Sequence, residues 1–171
     1  MMKSRTSIQT RNKGRVIAVD PGFDRIGVAV LDKIKGKEWV VFSTCIETNR
    51  KFSHEARLKE IGDSLREFIA EFTPSALAIE KLFFNQNITT GIKVAEARGV
   101  VLYEAARGGL EVFEYSPQQV KVAVTGYGKA AKPDLVRMVG RLVNFLPTTK
   151  HDDEADAVAV GITHLASQKR V

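Results

Sequence analysis

Apolar positions along the chain fall into two rhythms. Continuous or alternating apolar runs at Arg15 to Val19, Ile26 to Leu31 and Glu38 to Ile46 predict three strands, separated by Pro21-Gly22 and by Lys33 to Lys37 around Gly36. Breaks this short fit an antiparallel meander. From Ser53 to Phe72 the rhythm changes: Ala56, Leu58, Ile61, Leu65, Phe68 and Ile69 recur close to every 3.6 residues, predicting a helix capped by Ser53 and ended by Pro74. A fourth strand, Ala76 to Ile79, follows. Beyond the polar linker Asn85-Gln86-Asn87, a second helix is expected over Thr89 to Arg107, stopped by Gly108-Gly109.

The last third alternates helix and strand. Glu111 to Tyr115 reads as a strand, and Ser116-Pro117-Gln118-Gln119 combines a cap, a first-turn proline and a glutamine at the third position, which marks a helix start. A loop over Thr125 to Lys132, a helix over Pro133 to Asn144, a break over Pro147 to Asp152 and a final helix to Ser167 complete the chain. Together these elements predict a single α/β domain with a mixed five-stranded sheet and helices on both faces. No internal repeat or low-complexity segment interrupts it. Trp39, within the third strand, and Phe84 are expected in the core.

Composition adds a contrast. The 171 residues are 44% hydrophobic with a net charge of +6 and a pI near 9.5, so the surplus of Lys and Arg faces a solvent that a polyanion could share. Met1 to Gly14 carries Lys3, Arg5, Arg11 and Lys13 without an acid and reads as a flexible basic arm ahead of a domain over residues 15–171. Cys45 is the sole cysteine, which excludes a disulfide framework and a thiolate zinc site. No apolar run reaches the length of a membrane span and no apolar secretory core stands near the start, so a reducing cytoplasm is the expected location.

Against this basic background, four acids stand at special positions. Asp20 and Glu80 each close an apolar strand, and Asp153 and Asp156 lie three apart at the start of the alanine-rich final helix, on one helical face. Individually they read as a turn or as favourable charges at a helix N-terminus. Jointly they make a cluster that needs raised pKa values or bound cations, and oxygen-only ligands select Mg²⁺ or Mn²⁺ over zinc. Two such ions about 3.5–4 Å apart activate a water and relieve charge on a leaving oxygen in phosphodiester hydrolysis. Asp20 is placed to bridge the two ions, with Glu80 and the Asp153/Asp156 pair flanking it. The stretch Gly126-Tyr127-Gly128-Lys129 lacks the spacing of a nucleotide-binding phosphate loop. His151 is within reach of a metal-bound water or simply exposed in a loop, while His54 and His164 show no partner pattern.

The order Asp20-Pro21-Gly22, Ala78-Ile79-Glu80, Phe83, Ala97-Arg98-Gly99, Phe113-Glu114-Tyr115, Gln119-Val120-Lys121 and Asp153-x-x-Asp156-Ala157-x-Ala159 resembles the RuvC family of Holliday-junction resolvases, over about Arg15 to Ala166. The resemblance implies a ribonuclease H-like fold, a Mg²⁺-dependent homodimer, paired symmetric nicks in four-way junction DNA and a branch-migration helicase complex as partner. It implies that Asp20, Glu80, Asp153 and Asp156 bind metal, that Phe83 stacks on an unpaired base, and that Lys121 and Lys132 lie near the scissile phosphate. The helix over Thr89 to Arg107 is the expected dimer interface, through Val94, Val101, Leu102 and Ala105. Two rivals stay open: a related nuclease acting in ribosomal RNA maturation, which Arg25-Ile26-Gly27-Val28-Ala29-Val30 also resembles, and a junction-binding protein without catalysis. The stretch from Ala78 to Gly99 and the terminal Asp153/Asp156 motif favour the resolvase.

Overall fold

The computed structural model describes residues 12–83, 88–143 and 150–168. Residues 1–11 of the basic arm, Phe84 with the Asn85-Gln86-Asn87 linker, and Asn144 to Pro147 lie outside the described residues. Strands β1 (Asn12–Asp20), β2 (Arg25–Ile34) and β3 (Lys37–Glu47) precede helix α1 (His54–Phe72), strand β4 (Pro74–Glu80) and helix α2 (Ile88–Arg107). Strand β5 (Glu111–Tyr115) and helices α3 (Pro117–Thr125), α4 (Lys132–Leu142) and α5 (Asp153–Ser167) follow. The five strands form one sheet in the order β3-β2-β1-β4-β5. The meander β1-β2-β3 is antiparallel, and β1, β4 and β5 run parallel.

Both faces of the sheet are covered, which is why Val16 to Val19 in β1 and Ala76 to Ile79 in β4 are apolar at every position rather than at alternate ones. Ile17, Val19, Val28, Val30, Leu77 and Ile79 face α1 and α2, where Ile61, Leu65, Ala97, Val101 and Ala105 meet them. Val16, Ala18, Ala29, Leu31, Ala76 and Ala78 face α3, α4 and α5. The small side chains on this second face let α5 lie close. A Cβ at Gly161 would overlap the Leu31 side chain, and one at Gly27 would overlap the Asp153 carbonyl, so β2 and the start of α5 meet in backbone contact.

Strand β1 starts three residues earlier than expected. Asn12 donates to the Thr73 carbonyl at 3.1 Å, and the register with β4 then shifts between Asn12 and Val16, where Gly14 takes φ of 119°. That left-handed φ suits glycine. Ser53 is the N-cap of α1 by backbone, but its hydroxyl donates to Glu55 at 2.6 Å instead of capping the helix. At α3 the capping box of Ser116 and Gln119 forms in full. Trp39 is not in the core: it is 53% exposed on the edge strand β3, and its register partner Asp32 is taken by Arg15.

Candidate active site

Strand periodicity aims the first two acids. Asp20 shares the pleat of Val16 and Ala18, and Glu80 that of Ala76 and Ala78, so both point to the α5 face at the C-terminal ends of adjacent parallel strands. Val19 pairs with Ile79, which sets Asp20 and Glu80 side by side. Asp156 reaches them from the first turn of α5. These three carboxylates, with Lys121 from α3 and Lys132 from the start of α4, line a cavity of about 210 Å³ closed by Pro117, Val120 and Leu135.

Charge in the cavity is incompletely balanced. Burial, then Asp156, Glu80 and Asp153, push Asp20 well above the ordinary carboxylate range, with Lys132 opposing. Burial and Asp156 raise Glu80 to about 7 against the pull of Lys121 and Lys132. Asp156 is raised by burial although Lys132 Nζ contacts its Oδ2 at 2.9 Å. Burial lowers the Lys132 ammonium, but Asp156 and Asp152 outweigh it and leave it raised. Lys132 also lies 3.5 Å from Asp152. Among the described residues, neither Asp20 nor Glu80 has an ion-pair partner.

Asp153 stands beside this cavity, not in its lining, and faces β2. Arg25 Nε lies 3.1 Å from Asp153 Oδ2, and Arg25 also donates to His151 Nδ1 at 3.1 Å. With Nδ1 accepting, the His151 Nε2–H is left to donate to Glu47 Oε1 at 3.0 Å. This places His151 in a bridge behind Asp153. Arg25 had no signal of its own in the sequence, because a single arginine at a strand start resembles any solvated one.

Among the described residues, no three of His, Cys, Asp or Glu are drawn together closely enough to hold a metal ion as they stand. Lys132 on Asp156 and Arg25 on Asp153 stand as counter-charges instead. The donor set still fits a hard divalent cation: several carboxylates with elevated pKa values face one cavity, two lack ion-pair partners, and neither histidine nor cysteine lines it.

Phe83, three residues past Glu80, is 60% exposed and therefore outside the core. The main chain before it is fixed by Lys81, whose N–H donates to the Tyr115 carbonyl at 2.8 Å. Two histidines have partners the sequence did not reveal. His54 pairs with Glu96 at 2.7 Å and stacks on Phe23. His164 is buried against Phe113 and the Tyr115 hydroxyl, 3.0 Å away. Among the residues expected at a dimer interface, Val101 and Ala105 are instead buried in the sheet-facing core, and Val94 and Leu102 pack at its margin. The outward stripe of α2 is Ile88, Ile92, Gly99 and Tyr103.

The family model described as crossover junction endodeoxyribonuclease RuvC matches residues 16–164. A protein of that name from Halothermothrix orenii is 42% identical over 149 residues, covering 87% of this chain and 90% of the relative. The structure of Thermus thermophilus RuvC in complex with Holliday junction substrate superposes with a TM-score of 0.82 at 31% identity, over 88% of this chain and 92% of that one. The yeast mitochondrial Holliday junction resolvase, at 14% identity and a TM-score of 0.62 over 92% of this chain and 80% of that one, shares the fold.

Proposed function

The chain belongs to the RuvC family of crossover junction endodeoxyribonucleases, and we propose that Asp20, Glu80, Asp153 and Asp156 are the acids with which it cuts the strands of a four-way junction. It is a ribonuclease H-like nuclease that resolves Holliday junctions in DNA recombination and repair. The observation that carries the site is the convergence of Asp20, Glu80 and Asp156 from two parallel strands and a helix onto one cavity with two lysines. The ribosomal RNA rival is not favoured, because the family match spans both the strand-end acids and the α5 acids.

The cofactor of this reading is Mg²⁺, two ions per site, with Mn²⁺ able to substitute. When bound, the ions supply an activated water and charge relief for the leaving oxygen. The four acids would hold the cation, Asp20 from the central strand with Glu80, Asp153 and Asp156 around it. Lys121 and Lys132 draw the scissile phosphate toward the cavity and offset its charge. Phe83 offers an exposed ring on which a base unpaired at the crossover stacks. The protein acts as a homodimer, since matched cuts on two strands need two equivalent sites related by a two-fold axis. The outward face of α2, with Ile92 and Tyr103, supports that pairing. The nuclease domain begins with β1 at Asn12 and so takes in Asn12 to Gly14, the last three residues expected in the basic arm. A branch-migration helicase complex is the expected partner, in the cytoplasm.

The test is nicking of a synthetic four-way junction and of a linear duplex, with and without Mg²⁺, by the wild type and by Asp20→Asn, Glu80→Gln, Asp153→Asn and Asp156→Asn. The wild type nicks the junction in a metal-dependent manner. Each variant loses cleavage while retaining junction binding, which rests on the basic surface. Near wild-type nicking by Asp20→Asn would remove the acids from the mechanism.

A further inference from the structure

Asp153 differs from the other three acids in being held from the sheet side. Arg25 Nε contacts its Oδ2 at 3.1 Å. The same guanidinium donates through Nη1 to His151 Nδ1 at 3.1 Å, and His151 Nε2 meets Glu47 Oε1 at 3.0 Å. Arg25 and Glu47 are register partners across β2 and β3. One pleat along β2, on the same side as Arg25, Gly27 receives the Asp153 carbonyl in backbone contact. The backbone and the side chain of Asp153 are thus both seated on β2.

We propose that Arg25, braced by His151 and Glu47, is a positioning residue for Asp153. It pairs with one carboxylate oxygen through Nε and leaves the other as a metal donor. The proposal rests on the reading of Asp153 as a metal-binding acid. A carboxylate unrestrained about its side-chain torsions has to be ordered each time a cation binds, and outer partners that fix a ligand remove that cost. The Arg25 side chain is 48% exposed, so the pair adds little to folding stability. Its value is therefore orientational, and its removal leaves the fold in place.

The experiment is Mn²⁺ titration of the full chain by calorimetry in the absence of DNA, beside junction affinity measured without divalent metal. Arg25→Ala weakens Mn²⁺ binding by about 10–100-fold, Arg25→Lys recovers part of the loss, and His151→Ala acts in the same direction with a smaller effect. Junction affinity changes less than metal affinity. Unaltered Mn²⁺ binding in Arg25→Ala, with the loss retained in Asp20→Asn, overturns the positioning role alone. Unaltered binding in Asp20→Asn overturns the metal site and this role with it. A larger loss of junction affinity than of Mn²⁺ affinity makes Arg25 a phosphate contact and also overturns the proposal. Should Arg25→Ala fail to fold, Arg25→Lys and His151→Ala give the decision by the same measurement.

Discussion

The carbonyl oxygen of Asp153 occupies the space that a side chain at Gly27 would need. The start of α5, and with it two of the four acids, is therefore referenced to strand β2 through a contact only glycine permits. Gly27→Ala forces the helix start away from the sheet. Overpacking of this kind costs about 1–3 kcal/mol, and a displacement near 1 Å at the acids is enough for roughly a 10²-fold loss of rate. Chemical denaturation beside single-turnover cleavage checks both; wild-type cleavage with unchanged stability would contradict the contact.

Lys132 is the cation that opposes all three raised carboxylates among the described residues, Asp20, Glu80 and Asp156. Lys132→Met should slow cleavage by roughly 10²-fold, the scale of one lost charge-stabilising donor, and move the pH–rate profile to higher pH. Lys132→Arg should recover part of the rate. An unchanged profile would return Lys132 to the solvated surface.

Metal-free stability should depend on pH through the cavity. Glu80 is raised from 4.5 to about 7 and Asp20 is raised well above its ordinary value, so the folded state holds more protons there than the unfolded chain. The Glu80 contribution is complete below about pH 4.5 and is lost as pH rises through about 7. A divalent cation relieves the ionised acids, and the rise in Tm on adding Mg²⁺ is predicted to be larger at pH 8 than at pH 6. In a chain of this size each kcal/mol is roughly 2–4 °C. His164, pushed down to about 4 by burial, contributes stability that is present above about 6.5 and lost as pH falls toward 4, with metal and without it, so it cancels from the difference. Equal shifts at the two pH values, or a shift retained in Asp20→Asn, would argue against cation binding by these acids.

Phe83→Ala should leave thermal stability within about 0.5 kcal/mol of wild type, because the ring is already exposed. Cleavage of an intact junction should slow by the lost stacking, about 1–3 kcal/mol or tenfold and upward in rate. A junction already unpaired at its crossover should be cut at the wild-type rate. Equal defects on the two substrates would deny Phe83 a part in opening the crossover.

On α2, Ile92→Glu and Tyr103→Glu place charge on the outward stripe and should shift sedimentation toward the monomer while leaving the fold intact. Val101→Glu, by contrast, buries a charge in the core and should unfold the chain. A monomeric wild type at concentrations where cleavage is efficient would remove the dimer from the mechanism.

The strand-end acids were legible in the sequence because an apolar run that is buried on both faces ends abruptly at a charge, and Asp20 and Glu80 are such endings. The Asp153/Asp156 pair was legible from helical spacing. What was hidden is tertiary. The α2 period shows which residues are apolar but not which side meets the sheet, so Val101 and Ala105, expected at the interface, lie in the core. Trp39 carries a core residue's size on an edge strand with an uncovered flank. The bracing of Asp153 joins Arg25, Glu47 and His151 across more than a hundred positions, a distance at which no local pattern operates.

Gly161, halfway along α5, is seated against the side chains of Leu31 and Ala18, as Gly27 is seated against the Asp153 backbone. Seated at both points, the helix resists sliding on the sheet, and the gap between the Asp156 backbone and the ends of β1 and β4 is set by the fold. Mg²⁺ asks for oxygen at about 2.0–2.1 Å in octahedral order, whereas Ca²⁺ takes six to eight oxygens at about 2.3–2.6 Å. Across a gap of fixed width, accommodation of ionic radius falls to the rotamers of the carboxylates alone, and the sheet and helix together work as a calliper locked at one setting.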